Sequence, residues 1–115
     1  MKIQRRNIGD RFAGIVIAGD LVFLAGQVAR GGGSNVGDQT RQVLSQIDAL
    51  LAEAGTDKTK LLQVTIYLAD IKTAPEMNKV WLEWVDLANA PTRATVEAAL
   101  VTPDLLIEIV AVATR

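Results

Sequence analysis

The spacing of apolar residues changes along the chain and predicts strands that alternate with helices. Residues 14–29, "GIVIAGDLVFLAGQVA", contain two β-rich runs on either side of a turn at Ala18-Gly19-Asp20. From residue 38 onward, apolar residues recur three and four positions apart, which predicts a helix. Asp38 is a suitable N-cap for this helix, and Gly55 is a suitable residue to end it.

The second half of the chain predicts another helix between strands. Residues 61–70, "LLQVTIYLAD", alternate as a strand does. One face of this strand is predicted to carry Leu62, Val64, Ile66 and Leu68. Residues 73–88 predict a helix with Pro75 in its first turn. A short strand around Arg93 and a last strand in residues 105–114 complete the order β-β-α-β-α-β-β.

These elements predict one α+β domain over residues 1–115, with residues 2–6 as a further edge strand. Two helices can cover only one face of a five- to six-stranded sheet. The other face still carries apolar side chains, and the last strand is apolar at nearly every position except Glu108. Because an open apolar face usually marks an interface, we expect a homo-oligomer whose sheets pack against one another.

Composition limits the chemistry that this domain can perform. The chain has no Cys and no His, which excludes disulfides and thiol nucleophiles and removes the usual general base. No carboxylates have the spacing of a metal site, so we expect neither a metal nor another cofactor. The net charge is −1 and basic residues do not cluster, so nucleic acid is not expected as a partner.

The apolar runs are too short to predict a membrane segment. Each run is interrupted by Gly, Asp or Gln well before the ~18 residues that a spanning helix needs. No basic stretch followed by an apolar run is present near the first residue, so a secretory signal is not expected. These two observations predict a cytoplasmic protein without a membrane partner.

Arg93 is an unusual residue for the start of a strand in so apolar a chain. It is either a surface residue at a strand end, paired with Glu97, or a planar cation that binds a carboxylate through two parallel hydrogen bonds. Strand alternation places Arg93, Thr95 and Glu97 on one face. The trio predicts either a polar cleft or a solvated edge.

Glu108 lies between Ile107 and Ile109 in the most apolar strand of the chain. One interpretation is an edge-strand charge that discourages aggregation. The other is a carboxylate that has a partner or a raised pKa among apolar neighbours, and that can exchange protons with water near neutral pH.

Other candidates are less specific when taken alone. Asn78 in the second helix is equally typical of a solvent-facing amide, and Trp81 and Trp84 are more typical of a core or an interface than of ligand stacking. Gly26 ends an apolar strand, where backbone can approach a ligand closely. The run of glycines at residues 31–33 lacks the Lys of a phosphate-binding loop and predicts a plain loop.

Several stretches together resemble one known family. The helix "MNKVWLEW", followed by "APTRATVEAAL" and "LIEIVAVAT" in that order and spacing, is the most specific match, and "FLAGQV" and "LLQVTIYLADI" extend it over nearly the whole chain. The chain is identified as a member of the RidA/YjgF reactive-intermediate deaminases, also called the endoribonuclease L-PSP family, and is most similar to its YoaB-like branch. The resemblance implies a chorismate-mutase-like fold and a homotrimer with a central barrel and sites between subunits.

The resemblance also implies an activity and two catalytic residues. Members of the family hydrolyse reactive 2-imino and 2-enamino acids, such as 2-aminoacrylate, to 2-oxo acids and ammonia. Arg93 matches the arginine that binds the substrate carboxylate, and Glu108 matches the glutamate that orients the attacking water. The reaction needs no metal, thiol or His.

Four further positions are implied to line the pocket. Gly26 and Asn78 match a glycine and an asparagine of the family site. Thr95 occupies a position where many members have Cys, and its contribution there is largely backbone. Arg11 replaces a tyrosine beside the pocket, which leaves the accepted substrate shape open.

Two functions of different classes follow from these residues. The first is a homotrimeric imine and enamine deaminase, and the second is a non-catalytic trimer that binds or senses small 2-oxo acids through Arg93. Ribonuclease activity, which the older family name suggests, ranks below both, because the chain has no His and no basic groove for RNA.

Overall fold

The computed structural model describes all of residues 1–115 and contains seven strands, two α-helices and three short 3-10 helices at Lys58–Lys60, Ile71–Thr73 and Leu87–Asn89. The strands are β1 (Ile3–Ile8), β2 (Ala13–Ala18), β3 (Leu21–Leu24), β4 (Gln27–Val28), β5 (Leu61–Leu68), β6 (Thr92–Glu97) and β7 (Ile107–Thr114). The helices are α1 (Val36–Glu53) and α2 (Ala74–Trp84). Every predicted element is present, and β4 is a short strand that the sequence pattern merged with β3.

The strands form one mixed, open sheet in the order β1-β2-β3-β7-β5-β6. Neighbours are antiparallel except β5 and β6, which are parallel and are joined through α2. The two-residue strand β4 pairs with β7 beyond the end of β3. The α+β prediction with two helices on one face is therefore confirmed, and within one chain the sheet does not close into a barrel.

The core lies between the sheet and the two helices. Alternate residues of β7, from Ile107 to Ala113, are at most 1% exposed and pack under the helices. The helices contribute Val43, Leu44, Ile47 and Leu51 from α1 and Met77, Val80 and Trp81 from α2. Burial of this face is the main stabilising contribution, since free energy scales with the apolar area removed from water.

The opposite face of the sheet has no covering element. It carries Val16, Phe23, Val110 and Val112 on neighbouring strands, and Phe23 remains 41% exposed. The apolar open face predicted from the sequence is present. Neither helix has the length and apolar character needed to cross a bilayer.

Two sequence predictions about local structure are wrong. The first helix begins at Val36, and its N-cap is Asn35, whose side chain accepts a hydrogen bond of 2.8 Å from the backbone N–H of Asp38. Asp38 instead lies in the first turn, where its charge is favourable toward the helix dipole. In β5 the pairing register shifts between Leu61 and Gln63, so Leu61 is buried and Leu62 faces outward.

Gln39 links three backbone segments inside the core. Its side chain is fully buried, and its amide nitrogen donates to the carbonyls of Gly33, at 2.9 Å, and Asp104, at 3.0 Å. Its amide oxygen accepts from the N–H of Leu106, at 2.9 Å. Gln39 therefore fixes both the glycine loop and the turn that leads into β7, the strand that carries Glu108.

Replacing Gln39 with Leu is expected to lower the free energy of unfolding by at least about 2 kcal/mol. The change preserves size but removes the buried amide to which three backbone groups bond. Urea unfolding followed by circular dichroism measures the effect, and Arg41→Leu on the exposed side of the same helix is the control. Equal stability of both variants would contradict a linking role for Gln39.

Candidate active site

Glu108 lies on the open face of the sheet. Its cross-strand neighbours are Tyr67 on β5 and Val28 on β4. Neither an ion pair nor a hydrogen bond within the chain engages its carboxylate. The carboxylate is half-buried among apolar groups and available to a ligand or a water molecule.

Gly26 provides the space that the Glu108 carboxylate occupies. A Cβ atom built on Gly26 would overlap Oε2 of Glu108 and lie 3.1 Å from its Cδ. The backbone of Gly26 is not in the left-handed region, so the requirement for glycine comes from this contact alone. The two predicted residues are thus adjacent, and Gly26 determines where the carboxylate can lie.

Both residues line a cavity of about 640 Å³. Arg11 and Glu108 are the only charged residues of its wall. The apolar part of the wall includes Phe12, Val16, Phe23, Val101 and Leu105. Of these, Phe12, Val101 and Leu105 have no signal in the sequence pattern, because they lie in irregular segments that approach the cavity only in the tertiary fold.

Arg93 lies on the other face of the sheet, under α2. Its Cζ atom is 5.2 Å from the centroid of the Trp81 ring. The predicted pairing with Glu97 is absent, since Glu97 accepts a hydrogen bond from the backbone N–H of Ile71 and the one ion pair of the chain joins Arg41 to Asp38. Partial burial lowers the pKa of the Arg93 guanidinium, because desolvation disfavours its charged form.

Thr95 and Asn78 accompany Arg93. Thr95 follows on the same face of β6, and its Oγ1 is buried without a hydrogen-bond partner. Asn78 is half-buried in α2, one turn before Trp81 and on the same side of the helix. A buried hydroxyl without a partner is uncommon in proteins, and it adds an unpaired polar group to the backbone contribution predicted for Thr95.

The six predicted residues therefore form two groups on opposite faces. Arg93 pairs with Val64 of β5, whose side chain faces the helices, whereas Glu108 pairs with Tyr67, whose side chain faces away. The backbones of Arg93 and Glu108 are two strands apart across the sheet and three residues apart along it, which corresponds to roughly 14 Å. Their side chains point to opposite sides of the sheet. One small acid cannot contact both groups within a single chain.

No three acidic side chains lie close enough to share a metal ion. The chemistry available in this chain consists of a guanidinium, a carboxylate, an amide and a hydroxyl. Such groups can hold a carboxylic acid and orient a water molecule.

The sheet topology and this set of residues correspond to a known class of protein. The family model "Endoribonuclease L-PSP" matches residues 5–115. The chain belongs to this family, the RidA/YjgF proteins with the chorismate-mutase-like fold, which confirms the resemblance found in the sequence.

Particular relatives are similar over almost their entire length. A RutC family protein of Haemophilus ducreyi is 43% identical over 108 residues, which are 94% of this chain and 92% of the relative. The RutC family protein YoaB of Escherichia coli is 37% identical over 113 residues, or 98% of each chain. The crystal structure of NMB1025, a YjgF family member from Neisseria meningitidis, matches with a TM-score of 0.97 and 41% identity, covering 100% of this chain and 96% of that one.

A methyl group at Gly26 is expected to reduce activity without reducing stability. In Gly26→Ala the new Cβ displaces the Glu108 carboxylate, the end of a flexible side chain, so the fold adapts while the position of the carboxylate changes. We expect roughly a hundredfold loss of the imine-hydrolysis rate that the family resemblance implies. Gly9→Ala, where a Cβ meets only ordinary contacts, is the control. A Gly26→Ala protein with an unchanged rate would show that the position of Glu108 is unimportant.

Proposed function

We propose that the protein is a hydrolytic deaminase of reactive 2-imino and 2-enamino acids of the 2-aminoacrylate type, producing 2-oxo acids and ammonia. The observation that carries the proposal is the division of the site residues between two faces of the sheet. Each group is open, and neither is complete without the other. A homotrimer in which Arg93 of one copy faces Glu108 of the next supplies both to one substrate.

The exposed sheet face supports such an assembly. It presents apolar side chains from several strands, which a monomer in water does not favour. Packing of three such faces around an axis produces a central barrel and gives equivalent clefts between neighbours. The cavity beside Glu108 lies on this face and forms one wall of each cleft.

The proposed reaction uses positioning and electrostatics. The Arg93 fork binds the substrate carboxylate through two charge-assisted hydrogen bonds. Once the imine nitrogen is protonated, its carbon is electrophilic, and Glu108 accepts a proton from the water that adds to it. Glu108 returns this proton to the nitrogen of the resulting carbinolamine, and the C–N bond breaks to release ammonia while the hydroxyl loses its proton and becomes the carbonyl of the 2-oxo acid. Water is the only co-reactant.

The proposal also implies a location. Enzymes that dehydrate or oxidise amino acids release these intermediates, so we propose that the protein acts in the cytoplasm beside them.

The second candidate function is a non-catalytic binder of small 2-oxo acids. It uses the same Arg93 but assigns no role in turnover to Glu108.

A competition assay tests the proposal. An amino-acid oxidase generates imino acids in situ, and semicarbazide traps those that persist. If the proposal is correct, adding the protein lowers the rate of semicarbazone formation in proportion to its concentration. An unchanged rate with imines from several small amino acids would rule out deamination and favour the binder.

A further inference from the structure

We propose that Trp81 is a positioning residue, whose ring holds the Arg93 guanidinium so that its N–H fork faces the substrate carboxylate. This rests on the proposed role of Arg93 in carboxylate binding. The Cζ atom of that guanidinium lies 5.2 Å from the centroid of the Trp81 ring.

The contact leaves the hydrogen-bonding capacity of Arg93 free. A guanidinium carries its five N–H donors in its own plane, whereas an aromatic ring attracts the cation through its π-system. Arg93 forms neither an ion pair nor a side-chain hydrogen bond in the chain, so its donors are unused. An ion pair with Glu97 would orient the Arg93 side chain but would occupy its N–H donors. The Trp81 ring orients the same side chain and leaves those donors free.

Trp81 is itself held firmly in place. Its side chain is 7% exposed, and its ring packs against that of Trp84, with centroids 5.5 Å apart and planes inclined by 50°. The indole N–H of Trp84 donates to Asp48 of α1, at 2.9 Å. Lys58 donates to the Trp84 carbonyl, at 2.6 Å, and lies over the Trp84 ring. A rigid chain of contacts therefore extends from α1 to Arg93.

This support matters because Arg93 lies on β6, the edge strand of the sheet. A long side chain on an edge strand samples several rotamers, and ordering it on binding costs affinity. An arginine that is already ordered by the ring binds a carboxylate with a smaller entropic loss. The burial of Trp81 by itself predicts only a contribution to the core.

Binding of a 2-oxo acid separates the two interpretations. Isothermal titration with pyruvate is performed on the unmutated protein and on Trp81→Leu, Trp81→Phe and Ile47→Val. We expect Trp81→Leu to weaken pyruvate binding about tenfold, and Trp81→Phe, which keeps an aromatic face, to remain within about threefold. Ile47→Val removes buried apolar area from α1 and is the control for a general loss of core packing. Equal weakening by Leu and Phe, or unchanged binding in a folded Trp81→Leu protein, would overturn the proposal.

A spectroscopic readout keeps the test independent of the proposed function. The Nε–H proton of Arg93 should show an upfield ring-current shift in NMR spectra, and Trp81→Phe should reduce this shift. Absence of the shift in the unmutated protein refutes the positioning role even if imines are cleared. Its presence in a protein that neither binds pyruvate nor clears imines refutes the proposed function, and with it the role for Trp81 in substrate binding.

Discussion

Glu108→Gln is expected to lower the rate of imine hydrolysis by about a thousandfold while leaving pyruvate binding nearly unchanged. The amide preserves the size of the side chain in the cavity but cannot accept a proton from water at neutral pH. General-base contributions of about 10²- to 10⁴-fold are typical. The rate is measured by the semicarbazide competition assay, and binding by isothermal titration.

Glu97→Gln is the matched control, because Glu97 contacts a backbone N–H at the far end of β6 and is absent from the Glu108 cavity. The control should retain the unmutated rate. A Glu108→Gln variant that clears imines normally would contradict the proposed mechanism. Loss of pyruvate binding as well as rate would indicate that Glu108 organises the pocket instead of moving a proton.

Arg93→Lys is expected to lose most of the activity although it keeps the charge. An ammonium cannot form the paired, parallel hydrogen bonds that a guanidinium makes with a carboxylate. Loss of a charge-assisted pair in a partly shielded site corresponds to about 2 to 4 kcal/mol, or roughly 30- to 1000-fold in kcat/KM. Arg93→Ala should lose more, and pyruvate binding should fall in both variants.

Arg41→Lys is the control for this series, since Arg41 forms an exposed ion pair with Asp38 on α1. It should leave both rate and binding unchanged. If Arg93→Lys binds pyruvate and clears imines like the unmutated protein, a general positive charge suffices and the fork is not used. Both candidate functions require Arg93, so only the Glu108 variant separates the deaminase from the binder.

The fold was accessible from the sequence because its signals are local. Alternation in residues 61–70 and 105–114 and the helical spacing in the predicted helices reflect a sheet with one buried face. The errors were also local. Residue type alone does not distinguish Asn35 from Asp38 as the N-cap, and two adjacent leucines at residues 61 and 62 contain no signal for the bulge at Leu62.

The candidate site was only partly accessible. Alternation along β6 predicts that Arg93 and Thr95 lie on the same face. It does not predict whether residues on two distant strands, such as Arg93 and Glu108, lie on the same face of the sheet. That relation follows from the registers of β5 with β6 and β7, which place Arg93 and Glu108 on opposite faces. The sequence indicates only a core or interface role for Trp81, because burial and support of an arginine produce the same apolar stripe.

The central claim is that Arg93 and Glu108 act on one substrate from different copies of the chain, and mixed oligomers test it most directly. Arg93→Ala and Glu108→Gln chains with different tags are coexpressed, and oligomers that contain both are isolated by tandem affinity purification. In a mixed trimer one interface in three combines an intact Arg93 with an intact Glu108, so the account predicts recovery of about one third of the unmutated activity. Mixed oligomers no more active than either variant alone would contradict it.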